Sequence, residues 1–335
     1  MGSNPTMNDV AREARVALKT VSRYVNGETN INPVMAERIR AAIAQLGYRR
    51  NLAAASIRPG QSSKIVGLII EDLGNPVYST LARAVEAEVA RGGYLLTIAS
   101  SSESGEQHDK IVDRLMELRI DGLIIVPPRE QGRSWRDVAP PIPPLVFLDR
   151  PVDAEGVDTL VAADAQGSEE AVEQLFREGA KRVAFVGDSL SIYPIEQRHQ
   201  GYMRAHAARS LPVDERFVVT DAHDSEQALA TVRRLMAEGE VDAIFAANNR
   251  AAVGALLAFR ELGRRLPLIG FDDFEAATLM SPAVSVVSQD FEQIGTSAAR
   301  ILLERMSGSE EPHRTTVVPT TLVLRGSEKF DATLV

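Results

Sequence analysis

Leu18, Lys19, Ser22 and Arg23 stand one helical turn apart and combine two cations, a hydroxyl and an apolar contact. Residues spaced i, i+1, i+4 and i+5 share one side of a helix, so these four can meet a single ligand surface. Lys19 and Arg23 can donate to guanine O6 and N7, and Leu18 can touch a thymine methyl. Thr20 or Ser22 can reach phosphate oxygens. The opposite side carries Val21 and Val25 at i, i+4 and must turn toward a core.

Local chemistry supplies the helices that would hold this group in place. Thr6 with Asp9 three residues later reads as a capping box with a short acid, so a helix runs over 6–14 with Val10, Ala11 and Ala14 inward. A second helix runs over 18–26 and stops at Gly27. A third has Asn32 as cap and Pro33 as its first residue, turns Ile39, Ile43 and Leu46 inward, and ends at Gly47. Two short helices joined by a tight turn and braced by a third are the plan of a helix-turn-helix head. A bundle whose basic face only keeps it soluble would look similar, but charge argues against it. Residues 1–64 hold ten Lys and Arg against four Asp and Glu, whereas the remainder holds 27 against 42. Phosphate binding at one end of the chain produces such polarity.

The residues Asp9-Val10-Ala11, Thr20-Val21-Ser22-Arg23, Val25-Asn26, Leu46-Gly47-Tyr48 and Asn51 closely resemble the head of the LacI family of bacterial transcription regulators. The resemblance implies that Leu18, Lys19 and Arg23 read bases of double-stranded DNA. It places Ser22 and Asn26 near phosphates, with Thr6 and Thr20 as further DNA-facing candidates. Two positions depart from the family pattern. Arg15 stands where Gly is usual in the turn, and Ala17 where a Ser caps the second helix and meets phosphate. Losing a Ser cap costs about 1 kcal/mol, and Arg15 offers a phosphate contact in exchange.

Residues 51–60 begin with Asn51, continue through small residues, and stop at Pro59-Gly60, which reads as a helix of about two turns. Alone it is too short to persist in water. The resemblance implies a hinge helix that folds on DNA and pairs with its two-fold mate. Ile57 would be the apolar wedge in the minor groove, and Ala53 and Ala54 are small enough for close pairing.

At 335 residues the chain fits a small head and two domains of moderate size. Hydrophobic residues make up 44% and charged ones 25%, and no apolar run approaches the roughly 18 residues that would span a membrane. The polar start, Met1 to Pro5, gives no reason to expect export. Without cysteine, disulfides, thiolate metal sites and cysteine nucleophiles are excluded, and a reducing cytoplasm suits the composition.

From Lys64 onward, apolar runs of strand length alternate with helical segments. The first set has strands over 65–70, 94–99, 122–126 and 145–148, with helices over 77–92 and 106–118. A second set begins near Asp158, with helices over 165–178, 195–210, 225–238 and 250–262. Its strands fall over 183–186, 217–219, 243–246 and 266–271. The strand runs are almost wholly apolar rather than alternating, as in parallel sheets covered on both faces. The expected fold class is α/β, with a helical head and two Rossmann-like lobes.

The order also resembles the periplasmic sugar-binding fold that forms the LacI-family core, on GFDD at 270–273 and SVVSQDFEQIG at 285–295. That resemblance implies three crossings between lobes, near Ala162, Gln289 and Val318. The implied domains are a head over 6–50, a hinge over 51–60 and an effector-binding and dimerisation region over 64–330. Within the last, lobe 1 takes 64–161 and 291–318, and lobe 2 takes 162–289 and 320–330. Helix 291–306 would return to lobe 1, and 322–324 would close lobe 2.

Ligands of open parallel sheets lie beyond the carboxyl ends of the strands. The residues there are Asp72, Asn75 and Tyr78; Ser100 and Ser101; Asp149 and Arg150; Tyr193 and Arg198; Asn248 and Asn249; and Asp272 and Asp273. Carboxylates that accept from neighbouring hydroxyls, forked Arg donors and aromatic rings suit a sugar or polyol. By family position the effector contacts are Asp72, Tyr78, Arg198, Asn248 and Asp272, followed by Asp149, Arg150 and Phe291. Each has a plainer role open to it: Asp149 bracing its loop, Asn248 holding a turn, Asp273 starting a helix.

Nothing points to an enzyme, a cofactor or a metal. The five histidines are scattered; only His199 and His206 share a helical face, and solvent exposure is the expectation for both. Nucleophile-elbow, phosphate-loop and dinucleotide fingerprints are missing. Asp272 and Asp273 are adjacent on a strand and should diverge rather than pair. The sequence therefore reads as a cytoplasmic, homodimeric repressor that binds a near-palindromic operator and answers to a small sugar-like effector. The reverse sign, co-repression, uses the same parts and stays open. A sugar-binding transport or chemosensory protein is the alternative, disfavoured by the basic head. A dimer is expected over a tetramer, because 331–335 carry no heptad-bearing tail.

Overall fold

The structure is a computed structural model that describes residues 5–49, 62–130, 132–138 and 140–330. It divides into two compact units, Met1–Ser63 and Lys64–Val335. The hinge expected over 51–60, with Asn51, Ala54 and Ile57, lies outside the described residues.

The first unit contains α1 (Met7–Ala14), α2 (Leu18–Val25) and α3 (Pro33–Leu46). Thr6 and Asp9 form the reciprocal capping box that starts α1. Asn32 accepts from the Val34 N–H at 2.9 Å to start α3, with Pro33 in its first turn. Val10, Ala11, Ala14, Val21, Ile39 and Ala42 form the core that joins the three helices. Both departures noted above have a structural expression. Arg15 closes α1 in the left-handed region at φ 49°, and Ala17 opens α2 with no side-chain cap.

The second unit holds two lobes, each a six-stranded sheet. Lobe 1 contains β1 (Ile65–Ile70), α4 (Pro76–Arg91), β2 (Leu95–Ser100), α5 (Gly105–Glu117), β3 (Gly122–Ile125), β4 (Leu145–Leu148) and β5 (Asp158–Ala162). Lobe 2 follows with α6 (Asp164–Arg177), β6 (Val183–Val186), α7 (Tyr193–Ala208), β7 (Val218–Val219), α8 (Ser225–Glu238) and β8 (Ala243–Ala246). It continues with α9 (Asn249–Leu262), β9 (Leu268–Phe271) and β10 (Ser285–Gln289). The chain then returns as α10 (Phe291–Met306) and β11 (Thr315–Val318) to lobe 1 and ends in lobe 2 with β12 (Thr320–Val323). The sheet orders are β11-β5-β4-β3-β1-β2 and β12-β10-β9-β8-β6-β7. Apolar clusters fill both faces of each sheet, which is why its strands read as continuous apolar runs.

Three details differ from expectation. Residues 158–162, taken as the opening of the second set, form β5 inside the first sheet, paired with β4 and β11. The second sheet is not wholly parallel, because β12 runs antiparallel to β10. The reason is connectivity: β11 ends at the cleft, one residue separates it from β12, and the chain therefore enters the second sheet from the carboxyl ends of its strands. His206 does not face solvent. It is 4% exposed, its Nδ1 lies 3.1 Å from the Tyr202 carbonyl, and its ring packs on Tyr202 and edge-on to Phe176. His199 is half-buried against Phe185 and Tyr202. Aromatic neighbours from β6 and α6 make this face of α7 an inner one, and burial lowers the pKa of both histidines. Among the described residues, no helix is long and apolar enough to cross a membrane.

Candidate functional site

In the head, α2 buries Val21 and leaves its other side open. Leu18 is 44% exposed, Lys19 is exposed, and Thr20 and Ser22 are half-buried. Asn26 is exposed at the C-terminal end of α2. The guanidinium of Arg23 is held: Nε donates to Glu28 at 2.6 Å, and Nη2 reaches the side chain and carbonyl of Asn30. The hydroxyl of Thr6 is occupied by the α1 cap, donating to Asp9 at 2.7 Å.

In the second unit, a cleft opens between the carboxyl ends of the two sheets. Its lining includes Tyr78, Asp149, Arg150, Arg198, Asn248, Asp272 and Phe291. The two lobes contribute equivalent carboxylates. Asp149 follows β4 at φ 69° and Asp272 follows β9 at φ 68°. Each amide donates to the neighbouring strand, to Leu160 at 2.8 Å and Val287 at 2.9 Å. Left-handed aspartates just past strand ends are uncommon, and this conformation turns both out of the sheet direction.

Arg198 anchors the lobe 2 side. It is buried, donates from Nε to Asp164 at 2.7 Å and from Nη1 to the Ala247 carbonyl at 2.8 Å, and lies 3.3 Å from Asp272. Its guanidinium stacks 3.8 Å above the Phe271 ring. Burial opposes the charge on Arg198, but the carboxylates of Asp272 and Asp164 outweigh it and raise its pKa. Burial also pushes Asp164 up, to about 7, with Arg198 opposing. Gln289 donates to Asp272 at 2.6 Å, which leaves that carboxylate aimed and held from two sides. Gly201 lets α7 approach α6 closely enough to seat Arg198 on Asp164; a Cβ there would lie 2.1 Å from the Ala165 carbonyl.

On the lobe 1 side, Arg150 forks onto Glu103, with Nη1 at 2.8 Å. Burial opposes the Arg150 charge too, and Glu103 and Asp149 raise its pKa against it. Burial raises the carboxyl pKa of Asp149 and Glu71, the second also through nearby Glu103, and lifts the Tyr78 phenol well above its ordinary value.

Direct contacts span the lobes. Arg250 bridges Glu71 at 2.9 Å and Asp72 at 2.8 Å, and Asn249 donates to Asn75 at 2.8 Å. Arg129 lies 3.7 Å from Asp188, which also accepts from His223.

Asp72 is the one expected contact absent from the lining; its neighbour Glu71 stands there instead. Successive side chains past a strand diverge, and Asp72 closes a turn onto the Gly74 N–H at 2.8 Å and takes Arg250. Asn248 lines the cleft and also caps α9, accepting from Ala251 at 2.8 Å. Asp272 and Asp273 diverge: the latter pairs with Arg325 at 2.9 Å. Sequence reasoning missed Glu71, Glu103, Asp188, Arg250 and Gln289. Gln289 ends the 285–289 strand and so had a positional signal, whereas Glu103 and Arg250 had none. Among the described residues, no group of three His, Asp or Glu side chains is placed to hold a metal ion.

Residues 6–51 match the bacterial regulatory proteins of the lacI family, and 172–328 match the periplasmic binding protein-like domain. The chain carries a LacI-family head and a periplasmic-binding-protein-like domain. It is 27% identical to the ribose operon repressor of Halalkalibacterium halodurans, over 97% of each chain. Among solved structures it is similar to the cellobiose complex of the transcriptional regulator CelR, with TM-score 0.69, 26% identity, and 96% and 99% of the two chains covered. It shares the fold of the lac repressor dimer bound to operator and an anti-inducer, with TM-score 0.83, 23% identity, and 98% and 100% covered. The LacI-family head, with full-length relatives that are regulators, makes this a DNA-binding transcriptional regulator rather than an enzyme.

Proposed function

We propose that this regulator is a cytoplasmic repressor that binds a two-fold operator as a homodimer and is released by a small neutral sugar or polyol. The observation that carries the effector reading is the paired set Asp149 and Arg150 from one lobe, Arg198 and Asp272 from the other, lining one cleft between the lobes. Aimed carboxylates accept from vicinal hydroxyls, the Arg forks donate, and Tyr78 and Phe291 supply apolar cover for C–H faces. The lining carries Glu71, Glu103, Asp149, Asp188 and Asp272 against Arg150, Arg198 and Arg250, an acidic excess that disfavours a sugar phosphate. The ribose operon repressor and the CelR–cellobiose complex support a sugar.

On the outer side of lobe 2, Leu279 is 80% exposed beside an apolar groove of Val253, Leu256, Phe274 and Met280. A second copy would cover it, and two heads would then read two half-sites. Release requires that the effector bind the state incompatible with DNA better than the DNA-bound state.

The test is fluorescence anisotropy of a duplex from the upstream region of the gene, titrated with the full chain at fixed salt. Ribose, hexoses, disaccharides, polyols and their phosphates are added in turn. Tight, sequence-selective binding released by one neutral sugar is the expected result. Binding tightened by that sugar would reverse the sign to co-repression, and release by a phosphorylated compound alone would overturn the neutral-effector reading.

A further inference from the structure

Of the cationic side chains on the open side of α2, Arg23 is the one with a fixed geometry. Its side-on edge is taken up: Nε by Glu28 at 2.6 Å, and Nη2 by the carbonyl of Asn30 at 3.4 Å and by its side-chain oxygen. Glu28 and Asn30 both lie in the loop between α2 and α3, after Gly27 turns the chain at φ 81°. Among the described residues, Nη1 has no partner, so the end-on side of the fork stays available. Among the described residues, Lys19 has no comparable restraint.

We propose that Glu28 is a positioning residue for base reading: with Asn30 it holds the side-on edge of Arg23 so that the end-on edge meets guanine O6 and N7 in a fixed register. This rests on the DNA-reading role of α2 given above. An unrestrained Arg on a helix surface loses much rotamer freedom on binding and can trade a base for a phosphate. A guanidinium fixed along one edge has less freedom to lose and cannot swing to the backbone, so its contact discriminates. The acid also repels phosphate, which penalises non-specific docking at this point of the head. Two opposite roles are thereby separable. A buttress makes Glu28 favourable for the correct base pair, whereas a simple competitor for Arg23 would make it unfavourable everywhere.

The experiment uses the full chain. Wild-type protein enriches duplexes from a random pool, and the enriched sequence is resynthesised with each base pair of the half-site changed singly. Affinities are measured for wild type, Arg23→Ala, Glu28→Ala and Glu28→Gln. Arg23→Ala identifies the base pair that Arg23 reads. The proposal expects Glu28→Ala to flatten preference at that same pair by about tenfold, with affinity for scrambled duplex unchanged or higher. Glu28→Gln keeps an acceptor for Nε and should retain most of the preference, which charge removal alone would not allow. Unchanged preference in Glu28→Ala, or tighter binding to the enriched and scrambled duplexes alike, overturns the buttress. Enrichment of no sequence by the wild type overturns the DNA-reading role itself and the buttress with it.

Discussion

Arg250 at the start of α9 donates to Glu71 at the end of β1 at 2.9 Å, tying lobe 2 to lobe 1 across the cleft. The pair is partly buried, Arg250 at 28% and Glu71 at 17% side-chain exposure, and Arg250 also takes Asp72. This contact and that of Asn249 with Asn75 tie the two lobes together across the cleft. Arg250→Ala removes an interaction of roughly 1 kcal/mol, which shifts the closed population about fivefold. Small-angle scattering of the effector-free chain should show a larger radius of gyration, and sugar titration a correspondingly weaker affinity. An unchanged radius would mean that other contacts hold the lobes.

Arg198→Lys keeps a cation but not the fork. One ammonium cannot satisfy Asp164, the Ala247 carbonyl and Asp272 together, nor stack on Phe271 as the planar group does. Effector affinity by calorimetry should fall by about tenfold or more, with operator binding by the head retained. Arg198→Ala would also leave Asp164 and Asp272 buried without their cation, at a cost of about 3 kcal/mol in urea unfolding.

Asp158 gathers Arg305 at 2.8 Å, His313 at 3.0 Å and the Arg314 N–H at 3.1 Å at the start of β5. Burial opposes its charge, but these donors outweigh it and hold its pKa below the usual carboxylate value. A depressed folded pKa means that the stabilisation is present above the unfolded value, about 4, and is lost as pH falls through the folded one. Asp158→Asn should lower unfolding free energy at pH 7 by about 3 kcal/mol, and the gap from wild type should narrow as pH falls below about 4. A gap independent of pH would assign the loss to packing instead.

The head carries two local weaknesses. Arg15 sits at φ 49° and Ala17 leaves the first amides of α2 without a side-chain cap. Arg15→Gly should stabilise the head by about 0.5–1 kcal/mol, and Ala17→Ser by about 1 kcal/mol. Slower amide exchange in α1 and α2 of the full chain is the readout. Faster exchange in Arg15→Gly would show that the longer side chain contributes more than its backbone costs.

The head, its caps and the alternating elements of the core were legible residue by residue, because capping, helical spacing and apolar runs act over a few neighbours. Thr6 with Asp9, Asn32 with Pro33, and Gly47 carry their geometry in their own chemistry. The burial of β1, β3, β4, β6, β8 and β9 follows from continuous apolar runs in the same way. What the chain order could not supply is which distant side chains meet. Glu71 and Asp72 differ only in the direction in which they leave the end of β1, and the turn closed by Asp72 on Gly74 decides between them. Arg150 was legible from its place just past a strand, but its partner Glu103 lies 47 residues away and Arg250 meets Glu71 across 179, so no local pattern marks these pairings. His206 read as a surface residue until α7 was seated among the rings of Tyr202 and Phe176. Short-range chemistry thus determined the elements and the character of both binding faces. Only the packed lobes decided which charges pair across the cleft, because burial and Coulomb energy depend on distances that the folded chain alone creates.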